Sequence, residues 1–571
     1  MLRRLFGARR SLPAAHWNDE GIRRWQAGEL AAAHEAFREA LKADPSHAGA
    51  ASNLGALLLD DGREEEAVAL LAHAVDLAPG DAGARVNLAN GLVQTNRPAE
   101  SIEHFREALR LDPDHALARR QLLRPLLDLC EWEAAGAETD RLVADWQRAP
   151  DGSAAGLVAP FASLFLAVPG RFRLEIARRY AARITARAAP HALAPAAPDA
   201  GSGRLRVGYV SADFSNHATA HLAAGLFERH DRGRFELYAY SFGPDDRSEY
   251  RRRTADAFEH FADVRNEPAH AIAARIARDR IQILIDLKGY TTASRPGIFA
   301  LRPAPLQLSY LGYPGTLGAP WMDYVVADRI VLPDADLASF DERAIWLPGS
   351  YQVNDDRRVA PTTAPAPAEC GLPADAFVFC AFNQHAKIGA GIFSAWMRML
   401  GAVPNSVLWL LAGPGEPRLR AAAQAAGVDP SRLVFAPRLP MSKHLARHRR
   451  AGLFLDTDVY NAHTTASDAL WMGLPVLTLR GASFAGRVGE SLVRAVGLPE
   501  LVADDLADYE RRAVTLARAP ERLGALHMRL EQNRAAAPLF DTRGFTRALE
   551  AAFETAWSRH LAGAAPASFA V

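Results

Sequence analysis

Apolar and small positions in the first 118 residues recur every 34 positions. Pro45, Pro79 and Pro113 stand 34 apart, as do Ala40, Ala74 and Ala108, and, at a bulky apolar position, Phe37, Leu71 and Phe105. Asn53-Leu54 returns as Asn87-Leu88, and Gly28 returns as Gly62. Several positions agreeing in one phase predict helical hairpins over 17–50, 51–84 and 85–118, with small residues where helices cross and proline closing each unit. Residues 119 to about 152 read as a decayed fourth hairpin capping the stack, which gives a helical array over 17–152 behind an N-terminal tail, 1–16.

This register resembles the tetratricopeptide repeat, and the resemblance implies a short superhelix whose groove takes protein or peptide acceptors or pairs the chain into a homodimer. Next comes a helical linker, 153–203, ending in an Ala-, Pro-, Gly- and Ser-rich stretch from Ala188. The pattern then changes to short apolar runs near 204–211, 235–242, 281–286, 306–311 and 324–327, alternating with helix-like segments such as 270–280. After an Ala- and Pro-rich segment near 358–368 it restarts, with runs at 377–382, 406–411, 433–436, 453–455 and 475–479. Short buried strands alternating with helices predict two doubly wound, mostly parallel α/β domains, 204–365 and 366–560, followed by a tail, 561–571. Ligands of such a pair bind at the carboxyl ends of the strands.

At 571 residues the chain exceeds a single core. Lys+Arg and Asp+Glu both count 66, so no net charge points to nucleic acid or an anionic membrane. Cys130, Cys370 and Cys380 are too few and too scattered for a disulfide framework or a zinc cluster, which favours a reducing, cytoplasmic setting. The basic N-terminus MLRRLFGARR has an apolar core of only Leu5-Phe6 and is not read as a signal peptide. No apolar run is long enough to predict a membrane span.

Candidate chemistry clusters just after the expected strands. In NAHTTASDALWMGLPVLTL, residues 461–479, small and hydroxylated residues lead into a helix-like run, 467–472, stopped by Gly473 and Pro475. A helix N-terminus offers unpaired N–H groups and partial positive charge, so Thr464 and Thr465 suit a diphosphate and Asp468 suits a ribose hydroxyl. The same residues also read as a Thr-capped helix with Asp in its first turn. His217 lies in the loop after the first strand, and Leu311-Gly312-Tyr313-Pro314-Gly315-Thr316 follows a later one. Asn383 to Lys387, then Arg438 with His444 and Arg447, then His463 complete the set. Cations and imidazoles with few carboxylates fit a ligand bearing two phosphates and fit a divalent metal poorly, so no metal or cofactor is expected.

The motifs RLRVGYVSADFSNHATAHL, KGYTTASR, ALRPAPLQLSYLGYPGTLG, FNQHAKI, VPNSVLWLL and NAHTTASDALWMGLPV, in that order behind the repeats, resemble the protein O-GlcNAc transferase family. The resemblance implies two Rossmann-like domains in the GT-B arrangement and metal-free, inverting transfer of GlcNAc from UDP-GlcNAc to Ser or Thr hydroxyls. It implies that Gln384 and Lys387 contact the nucleotide and its phosphates, and that the Leu439 backbone and His444 hold the uracil with Arg447 nearby. His463, Thr464 and Thr465 would take the diphosphate and Asp468 the ribose, while Leu311, Gly312 and Pro314 line the sugar pocket. His217 is implied as a candidate general base and Lys387 as the group stabilising the leaving diphosphate.

The chain departs from that family in places. Met441 falls where animal members place a Lys that touches the ribose, KGYT replaces NGYT, and both a longer repeat array and an insert between the two domains are missing. Two other readings stand beside the first. One keeps the fold and changes the donor, to GDP-fucose or to UDP-glucose with Asn as acceptor. The other is a repeat scaffold whose transferase domains bind nucleotide without turnover.

Overall fold

The 34-residue period carries through four helical hairpins. Helix α1 spans Ala14–Gln26, α2 Leu30–Ala43, α3 Ala48–Asp60, α4 Glu64–Leu77, α5 Ala82–Gln94, α6 Pro98–Leu111, α7 Ala116–Asp128 and α8 Trp132–Arg148. The structure, a computed structural model, describes residues 12–27, 29–148, 158–194 and 203–571, so most of the expected N-terminal tail lies outside the described residues. The fourth hairpin keeps the phase of the other three although its sequence has drifted. Caps repeat with the same period: the side chains of His47, Asp81 and His115 accept first-turn N–H groups of α3, α5 and α7. Packing explains the small residues, because a Cβ on Gly21 would lie 2.5 Å from the Phe37 ring and one on Gly55 2.5 Å from Leu71 Cγ. Bulk on one helix thus requires a gap on its neighbour one hairpin after another.

Residues 159–571 form a second compact unit. Helix Gly170–Ala188, expected in a linker, is part of it. Phe172, Leu174, Ile176, Ala177 and Ala181 are buried, Arg178 donates twice to Asp341 (2.8 and 2.6 Å), and Trp321 Nε1 donates to Thr185 Oγ1 at 3.1 Å. An apolar face this complete has to be covered, and the first α/β domain covers it.

Fourteen strands are described: β1 Leu205–Ser211, β2 Phe235–Ser241, β3 His260–Asp263, β4 Ile283–Asp286, β5 Leu306–Ser309, β6 Tyr324–Ala327, β7 Arg343–Trp346, β8 Phe377–Ala381, β9 Ser406–Leu411, β10 Leu433–Ala436, β11 Leu453–Leu455, β12 Val476–Leu479, β13 Val502–Ala503 and β14 Phe569–Ala570. All pairings are parallel, in one sheet ordered β14-β7-β6-β5-β4-β1-β2-β3 and a second ordered β10-β9-β8-β11-β12-β13. Both faces are covered by helices, so central strands such as SVLWLL are buried at every position. The sequence pattern did not signal β3, β7 or β13. The segment 561–571, expected as a tail, ends in β14, which pairs with β7 and closes the edge of the first sheet.

In each sheet the chain winds outward one way and then returns to wind the other. The reversal falls between β1 and β4 in the first sheet and between β8 and β11 in the second. Loops leaving the strands part there and open a crevice at the carboxyl ends.

Candidate active site

At the first crevice the register aligns Val210 of β1 with Asp286 of β4, and Asp286 with Ser309 of β5. Three loops therefore leave side by side and carry His217, Lys288 and Leu311-Gly312. His217 is the N-cap of helix Ala218–Arg229: its Nδ1 accepts the Thr219 N–H at 3.2 Å and lies 3.5 Å from Asp213 Oδ2. Partial burial is the largest influence on its ring and holds the pKa below 6.5, with Asp213 pulling the other way. The loop carrying Leu311 and Gly312 is backbone-strained. Leu311 has φ +67°, and a Cβ on Gly312 would fall 1.9 Å from the Leu287 carbonyl oxygen, so only glycine fits there. Pro314 is buried beside them.

At the second crevice Lys387, just after β8, donates its Nζ to the Asn461 carbonyl at 2.7 Å and sits 3.9 Å above the Tyr460 ring. Asn461 belongs to the loop after β11 that feeds helix Thr464–Trp471, which starts three residues earlier than the sequence pattern predicts and ends at Gly473, φ +77°. Thr464 and Thr465 thus occupy the first turn, where no side chain caps the helix, and Thr465 Oγ1 donates to Asn383 Oδ1 at 3.0 Å. Asp456 shapes this loop, accepting from the N–H groups of Thr457 and Ala462 and from Thr478 Oγ1; burial pushes its carboxyl up to about 6. His463 faces the Ala485 carbonyl through Nε2 at 3.1 Å, and burial pushes its pKa well below 6.5. Its neutral ring adds no charge for a phosphate. Positive potential at this end comes from Lys387 and the helix N–H groups.

One turn into that helix, Asp468 is buried and ion-paired with Arg358, and its other oxygen lies 3.7 Å from His444 Nε2. Arg358 Nη2 also lies 3.9 Å from Met441 Sδ, while its buried Nε and Nη1 have no hydrogen-bond partner among the described residues. His444 Nδ1 accepts from Arg447 Nη2 at 2.6 Å, and burial drives the ring's pKa down to about 2. Arg447 is itself buried, donating to the Pro437 carbonyl at 2.7 Å and stacked over Phe382 at 4.2 Å, so it supports His444 from behind. Leu439 and Gln384 are exposed at the rim.

The fold thus gathers Lys387, His463, Thr464 and Thr465 in one place and Asp468, His444 and Arg447 in an adjoining one, while His217 and Leu311 to Pro314 line the crevice of the other sheet. Arg358 carries no distinguishing signal in the sequence: it follows Arg357 at the start of the Ala- and Pro-rich connector, and its partner Asp468 is brought to it only by the fold. Among the described residues no group of three or more His, Cys, Asp or Glu side chains could hold a metal ion.

Two parallel sheets, each with polar loops at its reversal point, define a pair of Rossmann-like α/β domains. The chain belongs to glycosyl transferase family 41, whose sequence pattern matches residues 129–364 and 362–549. Tetratricopeptide repeat patterns match residues 18–82 and 82–115. The chain is 38% identical over 469 residues to the probable UDP-N-acetylglucosamine–peptide N-acetylglucosaminyltransferase SEC of Arabidopsis thaliana, covering 79% of this chain and 48% of the relative. It is 30% identical over 474 residues to the Caenorhabditis elegans UDP-N-acetylglucosamine–peptide N-acetylglucosaminyltransferase, covering 63% and 41%. It therefore spans about half the length of the curated relatives it matches or less. A variant of the Thermobaculum terrenum O-GlcNAc transferase superposes with a TM-score of 0.71 at 29% identity, covering 97% of this chain and 98% of that one.

Proposed function

We propose that this protein transfers GlcNAc from UDP-GlcNAc to Ser or Thr hydroxyls of proteins, with inversion at the anomeric carbon and without a metal. The observation that carries the reading is the Lys387 ammonium held on the Asn461 carbonyl beside the N-terminus of helix Thr464–Trp471. A departing diphosphate gains negative charge on the oxygen that leaves the sugar, and fixed cationic and N–H groups stabilise that charge more than the ground state. The names of the matched relatives support UDP-GlcNAc as donor and a peptide as acceptor; Ser or Thr as the receiving residue rests on the family resemblance.

In this reading Thr464, Thr465 and Lys387 hold the diphosphate, and Asp468 accepts from the ribose with His444 and Leu439 toward the base. Gln384 sits at the rim. The strained Leu311-Gly312 turn, with Pro314, presents backbone to the sugar. His217, neutral near pH 7, accepts the proton of the attacking hydroxyl. Attack opposite the leaving group in one displacement inverts the anomeric carbon. The repeats would receive acceptor proteins or pair two copies of the chain, and the setting would be cytoplasmic. Among the described residues no helix is long and apolar enough to cross a membrane.

The test is titration of the purified chain with UDP, GDP, UDP-GlcNAc and UDP-glucose in EDTA, followed by transfer of labelled sugar to Ser- and Thr-containing peptides. Selective UDP and UDP-GlcNAc binding with transfer is expected. Preference for GDP, or turnover that EDTA abolishes, would overturn the donor or the metal-free chemistry. Binding without transfer would leave a scaffold.

A further inference from the structure

The loops after β1 and β4 join three polar side chains in one line of contacts. Lys288 is 7% exposed, and its Nζ donates to Asp213 Oδ1 at 3.0 Å. Asp213, also 7% exposed, turns Oδ2 toward His217 Nδ1 at 3.5 Å and accepts from Thr219 Oγ1 at 3.4 Å. Backbone fixes both ends. The Lys288 N–H donates to Asp286 Oδ1 at 2.8 Å, and the Asp213 N–H donates to Ser211 Oγ at 2.9 Å. Nothing in the proposed transfer so far uses Asp213 or Lys288.

The tautomer of His217 gives them a task. While Nδ1 accepts the Thr219 N–H, the neutral ring carries its proton on Nε2, which then has no lone pair with which to accept another. If Nδ1 instead carries the proton and donates it to Asp213 Oδ2, the Nε2 lone pair is free. A carboxylate alone beside the ring would also favour the imidazolium and spoil the base. The Lys288 ammonium on the far oxygen counters that effect, and its charge acts to lower the His217 pKa.

The geometry points to Asp213 and Lys288 as positioning residues for His217, Asp213 accepting the Nδ1 proton so that Nε2 is free, and Lys288 holding Asp213 and offsetting its charge. This rests on His217 as the base. In the step itself the acceptor hydroxyl proton passes to Nε2, the hydroxyl oxygen bonds to the anomeric carbon, and the bond from that carbon to the UDP β-phosphate oxygen breaks with its electron pair leaving on UDP. The Nδ1 proton stays on the ring throughout, and the imidazolium then gives its Nε2 proton to solvent. Other titratable groups near by are His221 on the next turn of the same helix, Asp286 at the end of β4, whose carboxyl burial pushes up to about 6, and Asp246 from the loop after β2, which accepts the Asn216 N–H.

The experiment is a pH titration of the His217 ring by NMR in the full chain labelled at histidine, its signal assigned by loss in His217→Ala. It is paired with kcat/KM against pH and with UDP affinity. Lys288→Met is expected to raise the His217 pKa and Asp213→Asn to lower it, each by about one pH unit, with the double variant returning toward the starting value. Opposite signs are not what general loosening of the loop produces. In Asp213→Asn, kcat should fall roughly 10²-fold or more with UDP affinity within about two-fold, as for loss of an oriented base. Shifts that are absent or of one sign, or an undiminished kcat in Asp213→Asn while His217→Ala is inactive, overturn the proposal. Opposite shifts in a protein whose His217→Ala keeps full kcat would uphold the coupling and remove His217 from the chemistry instead.

Discussion

Two single side chains carry the clearest consequences. Lys387→Ala removes the ammonium held on the Asn461 carbonyl ahead of helix Thr464–Trp471, and transfer should fall about 10²-fold or more, with UDP binding weakened, in initial-rate and titration measurements. Wild-type turnover would take Lys387 out of the mechanism. Arg358→Ala leaves the Asp468 carboxylate buried without its cation, which typically costs about 3–5 kcal/mol. A lowered unfolding midpoint is expected, recovered in large part by pairing the change with Asp468→Asn, and an unchanged midpoint would show the pair to be idle. The two residues were not equally legible. Lys387 follows an apolar strand in a motif that signals its own loop, whereas the Arg358 partner lies 110 positions away and is defined only once both sheets exist.

At the scale of elements, strands buried on both faces and helices ended by glycine were legible, since burial and left-handed φ leave marks in sequence. Helix Thr464–Trp471 starts three residues before the sequence pattern predicts, because Thr464 and Thr465 read equally as capping loop or first turn. Strands β3 and β7 escaped notice because four-residue runs such as HFAD and RAIW carry no sustained alternation. The candidate site was legible as a set of loops but not as a geometry: which loops adjoin follows from a strand order that no local pattern encodes. One loop is tightly constrained. In Gly312→Ala the new methyl would meet the Leu287 carbonyl at 1.9 Å, so the turn must move; sugar-nucleotide affinity should drop more than UDP affinity. Equal loss of both would place the turn outside the sugar pocket.

Across the whole molecule, buried titratable groups set the response to acid. His221 and His448 are held near pKa 4 and His444 near 2, so the unfolded chain binds these protons first as pH falls below 6.5, and stability declines from there. A drop from 6.5 to about 4 is worth on the order of 3 kcal/mol per ring. Asp286 and Asp456, raised to about 6, act oppositely: their contribution is full below 3.8 and is lost as pH rises through 6, so acidification restores it. Three such rings against two carboxyls leave a net loss, and His463 adds to it. The unfolding midpoint should fall between pH 6.5 and 4, and a flat profile over that range would contradict the buried neutral imidazoles.

The first sheet begins at Leu205, yet its edge strand is Phe569–Ala570, and the helix Thr542–Leu561 places Glu550 within 3.0 Å of buried His230. A sheet closed by residues from the far side of another domain cannot finish before that domain has been traversed. During synthesis the early strands would wait with an open margin while the second sheet, contiguous in sequence, becomes complete. The half holding His217 would be sealed last: β7, already paired with β6, keeps its outer edge open until β14 docks on it, and an open edge is where misassociation starts.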